Sequence, residues 1–355
     1  MSELHYFKFP QPFNLERGDS IPELVLAYTT HGKLNNRKDN VIWIFHALTA
    51  NSDPTDWWPG LVGEGKLFDP TNYFIICVNM PGSCYGSTYP FSIDPIKNIP
   101  YFHDFSWFTP KDMIRAYSVL KSALGISSIK IAIGGSMGGM QALEWAIEEP
   151  ELIEHLVLVA TNANHSPWGI AFNTSQRLAI EADVTWSERN EKAGTSGLIA
   201  ARSIALLSYR NYKTYALFQQ DQSDSETEFR ASSYQQYQGK KLADRFNAFS
   251  YVALTKGMDA HNTGRGRGGC ENALKGIKSN TLVIGIESDI LFPVSEQQFL
   301  ADKIPGAEFH VIDSDYGHDG FLLEYKKLEL LIEEFLKDSS GNDFNNIQKT
   351  AGISR

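Results

Sequence analysis

The feature that most constrains this chain is a glycine-framed serine at the junction between a strand and a helix. The run Gly134-Gly-Ser-Met-Gly138 follows the apolar β-branched segment 129–133 and opens the helical pattern 137–149. A strand that passes into a helix within so few residues must turn sharply, and small residues on both sides let the two elements pass close together. Such a turn lifts the Ser136 hydroxyl above the end of the strand, where it is exposed to a ligand.

Short apolar, β-branched runs alternate with longer helical patterns along most of the chain, which is typical of a parallel sheet covered by helices. The predicted strands are 41–45, 73–78, 129–133, 156–160, 281–286 and 309–312. One helix has recognisable ends, because Thr109 and Pro110 form an N-terminal cap and Gly125 follows the last apolar repeat. The predicted fold class is therefore α/β, with a mostly parallel central sheet flanked by helices.

One long segment interrupts this alternation. Residues 165–272 contain no convincing buried strand and include the helix-like stretches 174–182 and 195–207. We expect this segment to be an inserted helical cap, or lid, on a core formed by residues 1–164 and 273–355. Ligands bind at the carboxyl ends of the strands in an open α/β sheet, so the cap is expected to cover that crevice.

The serine needs partners before it becomes reactive. A serine hydroxyl is a weak nucleophile at neutral pH, so it requires a base, and the base requires an orienting carboxylate. Asp289 and His318 each follow a predicted strand, in the chain order serine, acid, histidine that accompanies this kind of turn. We predict that Ser136, Asp289 and His318 are the catalytic residues. Glu287 and Asp313 are the nearest alternative carboxylates.

Acyl chemistry at a serine also requires donors for the negative oxygen that develops on the substrate. The backbone N–H of Met137 directly follows the serine, and the loop His46-Ala-Leu-Thr49 follows the first predicted strand. We predict that the N–H groups of Leu48 and Met137 form this oxyanion hole. The side chain of His46 is interpreted as packing beneath the loop.

Composition excludes several other functions. The 355 residues carry 32 Lys and Arg against 42 Asp and Glu, a net charge of −10 that argues against a nucleic-acid surface. Cys77, Cys84 and Cys270 match neither a disulfide framework nor a metal-binding pattern, so no metal is expected. No apolar segment is long enough to span a membrane and no secretory signal is visible, so we expect a cytoplasmic protein.

A second glycine-rich run, Gly264-Arg-Gly-Arg-Gly-Gly269, resembles a dinucleotide-binding motif. That motif functions only after a strand and at the start of a helix, and no strand precedes this run. It is interpreted as a flexible arginine-bearing loop.

The motifs taken together resemble those of the homoserine O-acetyltransferase family, whose members have the α/β-hydrolase fold. The matching segments are residues 134–146, His46-Ala-Leu-Thr49, residues 79–88, Gly317-His-Asp-x-Phe-Leu322, Phe172-Asn-x-x-Gln-Arg177, Ile180-Glu-Ala-Asp183, Asp244-Arg-Phe246 and the Gly264–Gly269 loop. They spread over roughly residues 40–325. The resemblance implies an α/β-hydrolase fold with an inserted helical cap.

Members of this family move an acetyl group from acetyl-CoA to the hydroxyl of L-homoserine, a step of methionine biosynthesis, through an acyl-serine in a ping-pong scheme. The resemblance implies that Arg177 holds the carboxylate of the amino acid and that Asp319 holds its amine. An arginine fork suits a carboxylate. The family also implies acetyl-CoA as a co-substrate, no permanently bound cofactor, and a homodimer. Without the resemblance, Arg177 is interpreted as a solvated arginine of a cap helix and Asp319 as a helix N-cap.

Alternative functions remain open at this point. The same triad serves a carboxylesterase or thioesterase, in which water is the acyl acceptor. Succinyl-CoA as donor and L-serine as acceptor are not distinguished from acetyl-CoA and homoserine by one sequence. A non-catalytic relative that keeps the scaffold for binding is disfavoured, because all three triad positions carry suitable residues.

Overall fold

A twisted eight-stranded sheet forms the centre of the computed structural model, which describes residues 3–221 and 226–350, with side chains up to residue 337. The strands are β1 (Glu3–Phe9), β2 (Phe13–Asn14), β3 (Ser20–Ile21), β4 (Leu24–His31), β5 (Val41–Phe45), β6 (Phe74–Val78), β7 (Ile93–Asp94), β8 (Ile99–Pro100), β9 (Ile129–Gly135), β10 (Ile153–Val159), β11 (Asn280–Ile286) and β12 (Glu308–Ile312). The sheet order is β1-β4-β6-β5-β9-β10-β11-β12, while β2 with β3 and β7 with β8 form separate two-stranded pairs. All neighbours from β6 to β12 in the large sheet run parallel, which confirms the predicted sheet.

Helices cover both faces of this sheet. They are α1 (Pro54–Trp57), α2 (Pro110–Leu124), α3 (Met137–Glu148), α4 (Pro167–Glu181), α5 (Thr195–Tyr209), α6 (Tyr212–Phe218), α7 (Arg230–Ala243), α8 (Ala248–Asp259), α9 (Cys270–Leu274), α10 (Val294–Lys303), α11 (Gly320–Leu323) and α12 (Tyr325–Thr350), with 3₁₀ turns at Phe102–Asp104 and Gly317–Asp319. Among the described residues, no helix has the length and apolar character needed to cross a bilayer.

The ends of α2 follow the prediction from sequence. The Thr109 side chain accepts a hydrogen bond from the Asp112 N–H, and the Asp112 side chain accepts one from the Thr109 N–H, which closes a capping box. Gly125 adopts a left-handed conformation with φ of 65° and ends the helix.

The parallel strands β5, β6, β9, β10 and β11 are buried on both faces, which explains why they are nearly continuous apolar runs in the sequence. Along β5, Val41, Trp43 and Phe45 point into one hydrophobic cluster, while Ile42 and Ile44 point into the other. Helix α3, which begins directly after Ser136, packs on the first of these faces, where the Trp145 and Trp43 rings meet edge to face with centroids 4.7 Å apart. This packing fixes α3, and therefore its N-terminus, against the sheet.

Two strands of the large sheet, β1 and β4, were not predicted from the sequence, nor were the short strands of the two-stranded pairs. β1 and β4 pair antiparallel with each other, and β4 pairs antiparallel with β6 at that edge of the sheet. β1 has one face exposed and the other only partly buried, and the second half of β4 is Tyr-Thr-Thr-His, so neither gives a continuous apolar run.

Six helices, α4 to α9, lie between β10 and β11, and this is the segment in which a cap was predicted. The chain leaves and rejoins the core at one place. The His165 N–H donates to the His261 carbonyl and the Thr263 N–H donates to the Ala163 carbonyl, each at 3.0 Å. The chain therefore passes between the core and the inserted segment at residues 163–165 and 261–263. The exact bounds of the predicted cap, 165–272, stay a prediction.

Candidate active site

Ser136 occupies the sharp turn between β9 and α3, with a φ of 56° and a ψ of −127°. This conformation is strained for any residue other than glycine. The flanking glycines permit it by close approach: a Cβ on Gly134 would lie 2.3 Å from the carbonyl carbon of Gly138, and a Cβ on Gly138 would lie 2.1 Å from the Phe45 carbonyl oxygen. The Ser136 N–H donates to the Val159 carbonyl at 3.0 Å, which ties the turn to the neighbouring strand. The turn at Ser136 is thus held rigidly by backbone contacts.

A continuous chain of hydrogen bonds joins the three residues predicted to be catalytic. His318 Nε2 lies 2.8 Å from Ser136 Oγ, and His318 Nδ1 lies 2.6 Å from Asp289 Oδ2. The carboxylate can only accept, so we assign the Nδ1 proton to the bond with Asp289 and leave Nε2 to accept the serine proton. All three side chains are buried. This is the geometry of an activated serine nucleophile.

Asp289 is fixed by its second oxygen. Oδ1 accepts hydrogen bonds from the N–H groups of Leu291 and Phe292, at 2.8 and 2.9 Å. The two alternative carboxylates, Glu287 and Asp313, are exposed and make no hydrogen bond to His318. Of the three candidates, the structure therefore brings only Asp289 to the histidine.

Three aromatic rings surround the imidazole of His318. Phe292 stacks on it with centroids 4.9 Å apart, Phe321 lies at 5.2 Å and Tyr209 at 5.8 Å. Phe292 and Phe321 belong to the core, whereas Tyr209 ends the cap helix α5. Gly317 allows this approach, because a Cβ there would lie 2.9 Å from the Tyr209 carbonyl oxygen. The base is thereby shielded from water and held at the boundary between core and cap.

The two backbone donors predicted for the oxyanion hole lie on elements next to Ser136. Met137 is the first residue of α3, and the first N–H groups of a helix have no partner within it. Leu48 lies in the loop after β5, and within the described residues its N–H makes no backbone hydrogen bond. Both groups are therefore free to donate to a ligand oxygen.

His46 does more than pack beneath this loop. Its Nδ1–H donates to the Ala47 carbonyl at 2.9 Å, while its Nε2 accepts from the Met80 N–H at 3.0 Å. Complete burial lowers the pKa of His46 to about 4, so the ring is neutral at pH 7 and can both donate and accept. The side chain anchors the loop that carries Leu48, a role that its sequence position alone did not reveal.

Arg177 lies on α4, and its side chain is only 13% exposed, so it is not a solvated surface arginine. Its Nη2 donates to Asp259 Oδ2 at 2.6 Å and to Thr174 Oγ1 at 3.1 Å. Its Nη1 is buried and has no hydrogen-bond partner in the described chain. Asn173 Nδ2 donates to the other oxygen of Asp259 at 2.8 Å. The guanidinium is fixed from one side and retains an unused donor.

Asp319 follows the catalytic histidine and points towards the cap. It makes no side-chain hydrogen bond at the start of α11, so the interpretation as an N-cap is wrong. Its Oδ2 lies 3.0 Å from Arg210 Nε, just after the end of α5. Burial raises the pKa of Asp319, and the nearby positive charges of Arg210 and Arg202 oppose that rise. Asp319 thus links the triad to a pair of cap arginines.

A group of polar side chains that the sequence did not predict connects Tyr209 to α4. The Tyr209 and Tyr251 side chains interact electrostatically, and the Tyr251 hydroxyl donates to Gln176 Oε1 at 2.6 Å. Gln176 precedes Arg177 on the same helix. The group therefore connects the ring beside His318 with the helix that carries Arg177.

The Gly264–Gly269 loop is not free. Arg267 pairs with Glu144 at 2.9 Å and with Glu148, both on α3, and Arg265 lies 3.4 Å from Glu16. The predicted flexibility of its arginines is therefore wrong, since these ion pairs fasten the loop to the core.

Comparison with known proteins identifies the same architecture. Residues 40–325 match the family model described as alpha/beta hydrolase fold. The homoserine O-acetyltransferase of Cyclobacterium marinum is 47% identical over 335 residues, which cover 94% of this chain and 95% of that protein. Among solved structures, the homoserine O-acetyltransferase from Bacillus anthracis superposes with a TM-score of 0.87 at 25% identity, covering 95% of this chain and 98% of that one.

A solved esterase, E22, also has the same fold. It superposes with a TM-score of 0.86 at 24% identity and covers 95% of this chain and 100% of its own. At this identity the likeness shows the fold alone. Backbone similarity does not distinguish a transferase from a hydrolase here, and the distinction must come from the side chains around Ser136.

Proposed function

Since the chain belongs to the homoserine O-acetyltransferase family of α/β-hydrolase-fold enzymes, we propose that it transfers an acetyl group from acetyl-CoA to the hydroxyl of L-homoserine. The observation that carries this proposal is the hydrogen-bonded triad, together with near-full-length similarity to homoserine O-acetyltransferases, at 47% identity for one of them. The reaction is a step of methionine biosynthesis, and we accordingly propose a cytoplasmic enzyme with no permanently bound cofactor.

In the first half-reaction, Ser136 Oγ attacks the thioester carbonyl while His318 Nε2 takes its proton. The N–H groups of Leu48 and Met137 hold the oxyanion of the tetrahedral intermediate, which each such donor typically stabilises by about 3 kcal/mol. The intermediate collapses to acetyl-Ser136, and the thiol of CoA leaves with the proton returned by His318. Asp289 keeps the imidazole in the required tautomer and stabilises its positive form throughout.

In the second half-reaction, the homoserine hydroxyl occupies the space that the thiol has left. His318 Nε2 takes its proton, the oxygen attacks the acetyl carbonyl, and Ser136 leaves with the proton returned. We propose that Arg177 holds the substrate carboxylate through its unused Nη1 and that Asp319 holds the ammonium group. A carboxylate of the substrate would give the buried Nη1 of Arg177 the hydrogen-bond partner that it otherwise lacks.

A homodimer formed through the cap is also proposed. The cap exposes several large apolar side chains on its outer surface, namely Leu178, Val184, Leu207, Tyr212, Leu217 and Phe218. Apolar surface of this extent on adjoining helices is typical of a protein–protein contact.

A matrix of donors and acceptors tests the proposed activity. Free CoA is measured after mixing the protein with acetyl-CoA or succinyl-CoA and with homoserine, serine or buffer alone. We expect rapid turnover only with acetyl-CoA and homoserine. Equal CoA release without an amino acid would instead identify a thioesterase, and faster release with succinyl-CoA or serine would reassign the donor or the acceptor.

A further inference from the structure

Asp289 and His318 lie on two separate loops, and the relative position of these loops sets the hydrogen bond between the two side chains. Asp289 follows β11, and His318 follows β12, which is the parallel neighbour of β11 at the edge of the sheet. The last paired residues of the two strands are Ile286 and Ile312, so both side chains lie beyond the strand pairing. The sheet alone therefore does not fix the distance between the carboxylate and the imidazole.

The hydroxyl of Ser288 joins the two loops. It donates a hydrogen bond to the Ser314 carbonyl, and its oxygen accepts one from the Gly317 N–H at 3.0 Å. A serine hydroxyl has one donor and two acceptor sites, so it can make both bonds at once. Ser288 directly precedes Asp289 in the chain, and Gly317 directly precedes His318. The hydroxyl therefore bridges the backbone on either side of the acid–base pair.

Few other polar contacts hold the loop that leads to His318. Within the described part of the chain, the backbone of residues 313–315 makes no hydrogen bond to other backbone groups. The Glu287 N–H donates to the Ile312 carbonyl at 3.0 Å, where the two strands end. Two exposed lysines, Lys213 and Lys327, also contact the loop, but they join it to α6 and α12 rather than to the loop after β11. The bridge at the level of the triad is therefore the serine hydroxyl.

We propose that Ser288 is a positioning residue that holds His318 against Asp289 in both half-reactions. The inference rests on the proposed acyl transfer at Ser136, but not on the identity of the acyl acceptor. His318 Nδ1 lies 2.6 Å from Asp289 Oδ2 while His318 Nε2 lies 2.8 Å from Ser136 Oγ, so the imidazole is bonded at both nitrogens. A shift of its loop lengthens at least one of these bonds, and a misplacement of about 1 Å costs about 10²-fold in rate.

Two substitutions at the same position separate the hydroxyl from the rest of the side chain. Ser288→Ala removes the hydroxyl and Ser288→Thr keeps it, and the half-buried position leaves room for the added methyl group. Stopped-flow experiments would measure CoA release from acetyl-CoA and the decay of the acetyl-enzyme. We expect Ser288→Ala to slow both steps roughly 10–100-fold without changing the KM for either substrate, because one base serves both steps. Ser288→Thr should restore most of both rates.

Proton NMR of the folded protein gives a readout that a purely stabilising role would not move. A proton shared between an imidazole nitrogen and a carboxylate resonates far downfield of ordinary amide protons, and its loss in Asp289→Asn identifies the Nδ1 proton of His318. We expect this resonance to move upfield or to broaden in Ser288→Ala and to return in Ser288→Thr. Ser279→Ala is the matched control, because Ser279 is a buried serine just before β11 whose hydroxyl has no partner in the described chain.

Several results would overturn the proposal. Wild-type rates and an unchanged downfield resonance in Ser288→Ala would do so, even if the variant melts at a lower temperature. Equal losses in Ser279→Ala, or a Ser288→Thr protein as slow as Ser288→Ala, would assign the effect to packing rather than to the hydroxyl. If homoserine accepts no acetyl group but Ser288→Ala still slows CoA release and shifts the resonance, the positioning role is supported and the proposed acceptor is wrong.

Discussion

The core and the predicted cap contribute to the proposed active site in different physical ways. Ser136, Asp289 and His318 are buried and lie at the ends of strands or just beyond them. Backbone hydrogen bonds and closely packed glycines fix Ser136 and Asp289, and Asp289 in turn fixes His318. Arg177 and Arg210, by contrast, lie on α4 and just after the end of α5, and each is paired with a single carboxylate. Backbone geometry therefore holds the catalytic residues of the core, whereas ion pairs hold the arginines of the predicted cap.

This difference indicates a division of labour. A nucleophile, a base and an oxyanion hole must keep their relative positions through two half-reactions, and a rigid sheet edge provides that. The residues proposed to recognise the substrates need only face the serine, and their ion pairs can exchange partners when a substrate arrives. Changes in the core should therefore abolish both half-reactions, while changes in the cap should affect one substrate at a time.

Ser136→Ala should have the largest effect. Removal of the nucleophile prevents acetyl-enzyme formation, and we expect kcat to fall by about 10⁶-fold. Intact-protein mass spectrometry after mixing with acetyl-CoA measures the acetylated fraction. An acetylated Ser136→Ala protein would place the nucleophile elsewhere, and circular dichroism checks that the variant is folded.

Asp289→Asn should lower kcat by about 10⁴-fold, because the amide would present a donor to His318 and favour the wrong tautomer. Stopped-flow measurement of CoA release and of acetyl-enzyme decay should show the same loss in both steps. The exposed Glu287→Gln is the control and should leave both rates unchanged. Loss in only one half-reaction would contradict a shared base.

Asp319→Asn tests the cap side of the comparison. We expect kcat/KM for homoserine to fall roughly 10–100-fold, since the ammonium group loses a charged partner. The KM for acetyl-CoA should stay unchanged, because in the proposed reaction Asp319 contacts only the acceptor. Asp315→Asn, in the same loop but exposed and paired with Lys213, is the control. Equal losses for donor and acceptor would indicate a purely structural role.

Acid should destabilise both regions through buried histidines. Burial lowers the pKa of His46 and His165 to about 4 and that of His261 to about 3. These rings are neutral in the folded protein but take up protons near pH 6.5 when it unfolds, so stability is complete above pH 6.5 and declines as pH falls towards 4. Each ring should lower the free energy of unfolding by about 2 kcal/mol between pH 7.5 and pH 5.

Urea denaturation at several pH values measures this decline. His261→Gln should reduce the dependence of the unfolding free energy on pH, whereas substitution of the exposed His310 by Gln should not. An unchanged pH dependence in His261→Gln would show that this ring does not stay neutral in the folded state.

The triad could be predicted from sequence because its members follow strands. Buried parallel strands are easily identified as apolar runs, and their carboxyl ends meet at one edge of the sheet, so residues just beyond them converge. Ser136, Asp289 and His318 were found in this way, although they are separated by up to 182 positions. The same reasoning missed β1 and β4, since strands with polar or partly exposed residues lack a continuous apolar run.

The cap contacts could not be predicted in this way. Arg177 bonds to Asp259 across 82 positions, and Arg210 lies against Asp319 from a different helix, and no strand order brings these partners together. Their pairing depends on how helices α4, α5 and α8 pack, which a helical pattern alone does not determine. Tyr209 and Arg210 were missed for the same reason, since each is an ordinary residue of a helix end until the loop at Gly317 packs against it.

The most direct test of the division between core and cap is the fate of the acetyl-enzyme in Arg177→Ala. Acetyl-enzyme formed from acetyl-CoA is rapidly mixed with homoserine or with buffer, and its decay is followed by quenched-flow mass spectrometry. We predict that Arg177→Ala forms acetyl-Ser136 at the wild-type rate but loses most of the acceleration that homoserine gives the wild type. Unchanged acceleration by homoserine, or an equal loss of acetyl-enzyme formation, would contradict it.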